Sequence, residues 1–134
     1  MTRSASEWIP LIQEVLSPDL LKSAYVIINK GNPMYGHCYA ATEALYYLLG
    51  GKESGWQPCR GKDAEGVTHW WLRNADGQIL DPTVEQYTTV GKKPPYASGR
   101  NGPFLTQQPS KRANEIIARV KRINEQNRIR PGNT

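Results

Sequence analysis

The chain has little sulfur and no long apolar run. Its 134 residues include two cysteines, Cys38 and Cys59, and a single phenylalanine. Two cysteines without an export signal make no disulfide framework and fit free thiols in a reducing compartment. The opening MTRSASEWIP lacks the apolar core of a signal peptide, and no stretch approaches the length of a membrane span. A cytoplasmic protein that does not engage a membrane is expected. With two histidines (His37 and His69) and no CxxC or HxxxH pair, a metal site built on Cys38, His69 and Asp81 is disfavoured, and no cofactor is expected. No glycine-rich phosphate loop is present, which argues against phosphate-handling enzymes.

Aromatics and turn formers are plentiful: seven Tyr, four Trp, ten Pro and twelve Gly. The length suits one domain over residues 1–134 with its own core. The net charge of +5 is uneven. Residues 1–108 hold ten Lys/Arg and ten Asp/Glu, so residues 109–134, with seven against two, carry the whole excess. This basic segment reads as a C-terminal helix with a frayed end. It is either a solvated face or a surface for nucleic acid or an acidic partner.

Residues 4–16 predict a first helix, with Ser4 and Glu7 at capping-box spacing, an apolar stripe of Trp8, Ile12, Val15 and Leu16, and Pro10 in the first turn. Residues 17–29 predict a second, capped by Ser17 with Pro18 at its first position and closed by the turn Lys30–Pro33. A third runs from Cys38 through Ala41, Ala44, Leu45, Leu48 and Leu49 to Gly50–Gly51. The runs 55–61, 66–74 and 77–83 read as strands. Residues 91–109 read as an ordered loop, and 110–126 as an amphipathic helix through Ala113, Ile116, Ile117, Val120 and Ile123. Helices, a small antiparallel sheet and a last helix give an α+β class.

The turn Asn74-Ala75-Asp76-Gly77 carries the sharpest inference. A three-residue hairpin loop places residue 74 opposite 78 or residue 73 opposite 77. In either register His69, Trp71, Ile79 and Asp81 share one face, because strand side chains alternate. A two-residue loop would put His69 and Asp81 on opposite faces. A carboxylate on one imidazole nitrogen fixes the tautomer and leaves the other nitrogen free to accept a proton. Cys38, at a helix start, has its thiolate favoured by unpaired N–H groups and the helix dipole. Each feature also has a plain structural reading: Cys38 and Cys59 as packing residues, His69 as a core histidine, Asp81 as the start of an Asp-Pro turn.

Gly36-His37-Cys38, then His69-Trp70-Trp71, then Asp81-Pro82-Thr83 resemble the transglutaminase-like group of the papain-like thiol enzymes, over roughly residues 31–87. The resemblance implies a nucleophile helix packed on an antiparallel sheet, with Cys38 as nucleophile, His69 as general base and acid, and Asp81 as orienter. Papain-like enzymes often carry a glutamine six residues before the nucleophile. Asn32 holds that place here, as an oxyanion donor or as a turn residue, beside the backbone N–H of Cys38. His37 stands where the group often has an acid; it is a second titrating group at the site or a cap. Tyr35, Trp70 and Trp71 are expected to wall the cleft, with Trp71 preferred because Trp70 faces away from His69. The expected function is hydrolysis or transfer of a peptide or amide through a thioester. The alternative is a non-catalytic binding or inhibitory module that meets nucleic acid or a protein through its basic C-terminal helix.

Overall fold

A computed structural model describes residues 4–21, 30–32 and 34–129. Its centre is a hairpin of β1 (Gln57–Lys62) and β2 (Thr68–Arg73), extended on one side by β3 (Ile79–Leu80) and on the other by β4 (Arg100–Asn101). The antiparallel order is β3-β2-β1-β4. Around it stand α1 (Ala5–Val15), α2 (Cys38–Leu48), the single turn α3 (Glu85–Thr88) and α4 (Lys111–Ile129). The class is α+β.

Alternation along β2 assigns the two faces. Leu72 joins Ile12, Ala41, Ala44, Leu45, Ala113, Ile116 and Val120 in the core between the sheet and helices α1, α2 and α4. Trp70 points the same way, and Thr42 of α2 donates to its carbonyl at 3.2 Å. His69 and Trp71 face the opposite side, where residues 95–99 cover them. Glu43, fully buried on α2, sits by Ser110 at the start of α4, and burial pushes its carboxyl pKa up.

The first helix starts as expected, the Glu7 carboxylate accepting from the Ser4 N–H at 3.3 Å. Pro10, however, lies in its second turn. Pro10 and Ser6 are both exposed, so the carbonyl that loses its partner can bond water, while Trp8, Ile12 and Val15 bury the other face. The expected helix over 17–29 does not continue from its cap. Pro18–Leu20 form one 3-10 turn and Leu21 is already extended; residues 22–29 lie outside the described residues, as does Pro33 of the expected turn. The third strand is also shorter than expected, because Pro82 has no N–H for the ladder. The loop over 91–109 holds a 3-10 turn, Tyr96–Ser98, and the strand β4, whose two residues carry no alternating pattern.

Candidate active site

Cys38 is the first residue of α2 and half-buried. Two tight turns deliver it, with the Tyr35 N–H on the Asn32 carbonyl at 2.9 Å and the His37 N–H on the Met34 carbonyl at 3.2 Å. Within the second turn Gly36 has φ +86°, a conformation that side chains resist. The thiol lies 3.8 Å from the Thr68 carbonyl oxygen, at the start of β2.

The hairpin has the even register: residue 72 pairs with 80 and 73 with 79 around the loop 75–77, with Gly77 at φ +81°. His69 and Asp81 therefore share a face, and Asp81 Oδ2 lies 2.6 Å from His69 Nε2. The Tyr96 hydroxyl donates to the same oxygen at 2.7 Å, and the Thr83 N–H donates to Oδ1 at 3.1 Å. The imidazole is fully buried, stacked on Trp71 at 5.8 Å and edge-on to Tyr87 at 4.8 Å. Its Nδ1 makes no hydrogen bond among the described residues. With Nε2 taken by Asp81, Nδ1 is the nitrogen left for the Cys38 sulfur.

Burial alone would lower the His69 pKa. The hydrogen bond to Asp81, then the interaction with Cys38, outweigh it and raise the value to about 9. For Tyr96, burial and then the Asp81 charge push the hydroxyl pKa up, so it remains a donor. His37 behaves oppositely: burial, reinforced by the Arg112 charge, lowers its pKa to about 4.

Cys38 opens into a cleft of about 290 Å³ lined by Tyr35, Gly36, Cys38, Tyr39, Val67, Thr68, Trp70, Gln86, Leu105 and Arg112. Tyr35 is where it was expected. Trp71 is not: it is fully buried against Gly61, Gly99 and Tyr96, and Trp70 walls the cleft instead, because the cleft opens on the helix side of the sheet. His37 is also buried, 1% exposed, and does not line the cleft. Asn32 donates its amide to the Gln86 carbonyl at 2.7 Å and is not among the residues that line this cleft. Gln86 itself lines the cleft, 6% exposed, with Oε1 unbonded among the described residues. Cys59 is buried beside Asn101, its thiol pKa pushed up by burial.

Comparison of the chain with family models, curated proteins and solved structures gives no match. Among the described residues no group of three or more His, Cys, Asp or Glu is placed to hold a metal ion, and no helix is long and apolar enough to cross a membrane. In α4, Arg119 turns inward to Asp19 at 2.6 Å, the Val15 carbonyl at 3.2 Å and Ser17 Oγ at 2.8 Å. Lys111, Lys121 and Arg122 are exposed, Arg122 lying 3.5 Å from Glu115. The basic helix is thus partly neutralised within the fold.

Gln86, Tyr96 and Arg112 were not singled out from the sequence. Each reaches the site from a separate segment through tertiary contact, without a local motif.

Proposed function

We propose that the chain is a thiol enzyme of papain-like, transglutaminase-like design that cleaves or transfers an amide through a thioester on Cys38. One observation carries the reading: His69 is bound to a buried carboxylate through Nε2 and keeps Nδ1 unbonded near a half-exposed cysteine at a helix start. The Cys38 thiolate adds to the amide carbonyl, and the oxyanion is met by the Cys38 N–H, one of the first-turn donors that lack an intrahelical partner. The His69 imidazolium passes its Nδ1 proton to the departing amine as the C–N bond breaks. Water then attacks the thioester, with Nδ1 taking its proton, and the carboxylate leaves as the C–S bond breaks. An amine in place of water gives transfer.

Gln86 replaces Asn32 as the candidate side-chain donor to the oxyanion, since it lines the cleft and Asn32 does not. His69 raised to about 9 is protonated at neutral pH, so the proton for the departing amine is in place.

The test is iodoacetamide alkylation of Cys38 between pH 5 and 9, read on tryptic peptides, with His69→Ala alongside and turnover of fluorogenic peptide amides measured on both. Fast alkylation near pH 6 that His69→Ala abolishes, together with turnover lost in Cys38→Ala, supports the enzyme. Equal alkylation in both proteins overturns it. The reading would then pass to the binding module, recognised by salt-sensitive association through α4.

A further inference from the structure

Helix α2 covers Trp70 and Leu72 but ends at Cys38, so the Thr68 end of that sheet face is open. A second groove, about 420 Å³, begins there, with Arg60, Lys62, Arg100 and Thr68 among its lining residues. Thr68 also lines the Cys38 cleft, so the two hollows adjoin. Arg112 brings a cation to the Cys38 side, and neither lining contains an Asp or Glu.

The strand pairing makes this cluster costly. Arg60 and Arg100 are direct cross-strand partners, and Lys62 lies two residues along the same face as Arg60. Like charges directly opposite destabilise a sheet. No ion pair among the described residues involves Arg60, Lys62, Arg100 or Arg112. The guanidinium of Arg60 is held 5.5 Å from the centre of the Trp70 ring, a cation–π contact that fixes it beside the groove. Arg60, Lys62 and Arg100 lie within residues 1–108, where acids and bases are equal in number, so their concentration is a local feature and not a consequence of composition.

We propose that the trough from Arg60, Lys62 and Arg100 to Cys38 seats an acidic peptide, its carboxylates on the cationic groove and an adjoining amide over the sulfur. An extended chain advances roughly 3.3 Å per residue, so a carboxylate a few positions from the reacting amide reaches the groove. Nucleic acid fits less well. The bases of a single strand stack on open aromatic faces, and Trp70 is 5% exposed, stacked on Phe104 at 5.6 Å with Arg60 over its ring. The proposal rests on the thiol-enzyme reading for what happens to the peptide, but binding itself does not need the thiol.

The experiment uses the full chain carrying Cys38→Ala. Fluorescence anisotropy measures binding of a labelled peptide of alternating Glu and Gly, of its Gln counterpart, and of a single-stranded oligonucleotide. The acidic peptide is expected to bind about tenfold or more tighter than the Gln peptide, with affinity falling steeply as salt rises. Arg60→Gln with Arg100→Gln should remove about tenfold and flatten the salt dependence. Arg60→Lys with Arg100→Lys keeps the charges and should retain most of the binding, and circular dichroism checks that each variant folds. Lys121→Gln with Arg122→Gln on α4 should change nothing. Equal binding of the Gln peptide, an equal loss in the α4 variant, tighter binding of the oligonucleotide, or no binding at low salt would each overturn the proposal. Peptide binding without His69-dependent alkylation leaves the groove standing and removes the enzyme. Reactive Cys38 without peptide binding removes only the groove.

Discussion

Asp81 meets His69 at 2.6 Å through Oδ2 while its Oδ1 accepts the Thr83 N–H at 3.1 Å. The Asp-Pro turn and the histidine contact, which the sequence offers as alternative uses of this carboxylate, are the same arrangement. The turn fixes one oxygen and thereby aims the other at the imidazole. Tyr96 completes the carboxylate's shell from a segment fifteen residues away.

Asp81→Asn keeps an acceptor for Nε2 but removes the charge that holds the imidazolium. The His69 pKa should fall from about 9 toward its ordinary range. In the proposed enzyme this moves the alkaline limb of the pH–rate profile for amide turnover down by more than about one unit. Direct titration of His69 by NMR checks the shift independently of turnover; an unchanged value would show that Asp81 is not its source.

The two histidines give stability opposite pH dependences. The raised pKa of His69 stabilises the fold fully below about 6.5, and the contribution is lost as pH climbs through about 9. His37, depressed to about 4, resists protonation when folded, so stability is lost as pH falls from about 6.5 through that value. Denaturant midpoints should peak near pH 6.5. His37→Gln should flatten the acid side and Asp81→Asn the alkaline side.

Tyr96→Phe removes a part-buried hydrogen bond to a charged acceptor. A loss of about 1.5–3 kcal/mol in unfolding free energy is expected. Turnover should also fall, because Asp81 loses one of the contacts that orient it. Urea titration and kinetics on the same preparation separate the two effects.

Gly99 lies against the Trp71 indole. A Cβ there would sit 2.1 Å from Trp71 Cζ2 and 2.7 Å from Cη2, and the ring is fully buried. Gly99→Ala should cost about 1–3 kcal/mol and disturb the Trp71–His69 stack. At Gly102 the nearest atom to an added Cβ is the Arg60 guanidinium carbon at 3.6 Å, so Gly102→Ala should unfold within about 0.5 kcal/mol of the parent.

The local elements were legible in the chain. Ser4 and Glu7 mark the start of α1, Gly50–Gly51 mark the end of α2, and the Asn74–Gly77 turn sets the register that puts His69 and Asp81 on one face. These features depend on neighbours a few residues apart. Of the helix expected over 17–29, the described part is one 3-10 turn, Pro18–Leu20, that gives way to extended backbone at Leu21, because a cap and a proline mark where a helix can start without setting its course. β4 went unrecognised because two residues are too short to show a period, and their pairing partners lie some forty residues earlier.

The sequence by itself determined that Cys38 begins a helix and that His69 and Asp81 can meet, since helix starts and hairpin registers are local. Only the tertiary structure decided which side of the sheet is open. Alternation separates Trp70 from Trp71 but does not say which face other segments will cover. Gly61 and Gly99 leave room for the Trp71 ring beneath residues 95–99, while α2 stops at Cys38 and leaves the Thr68 end of the Trp70 face uncovered. The cleft therefore falls beside Trp70, with Gln86 and Arg112 brought to it by long-range packing.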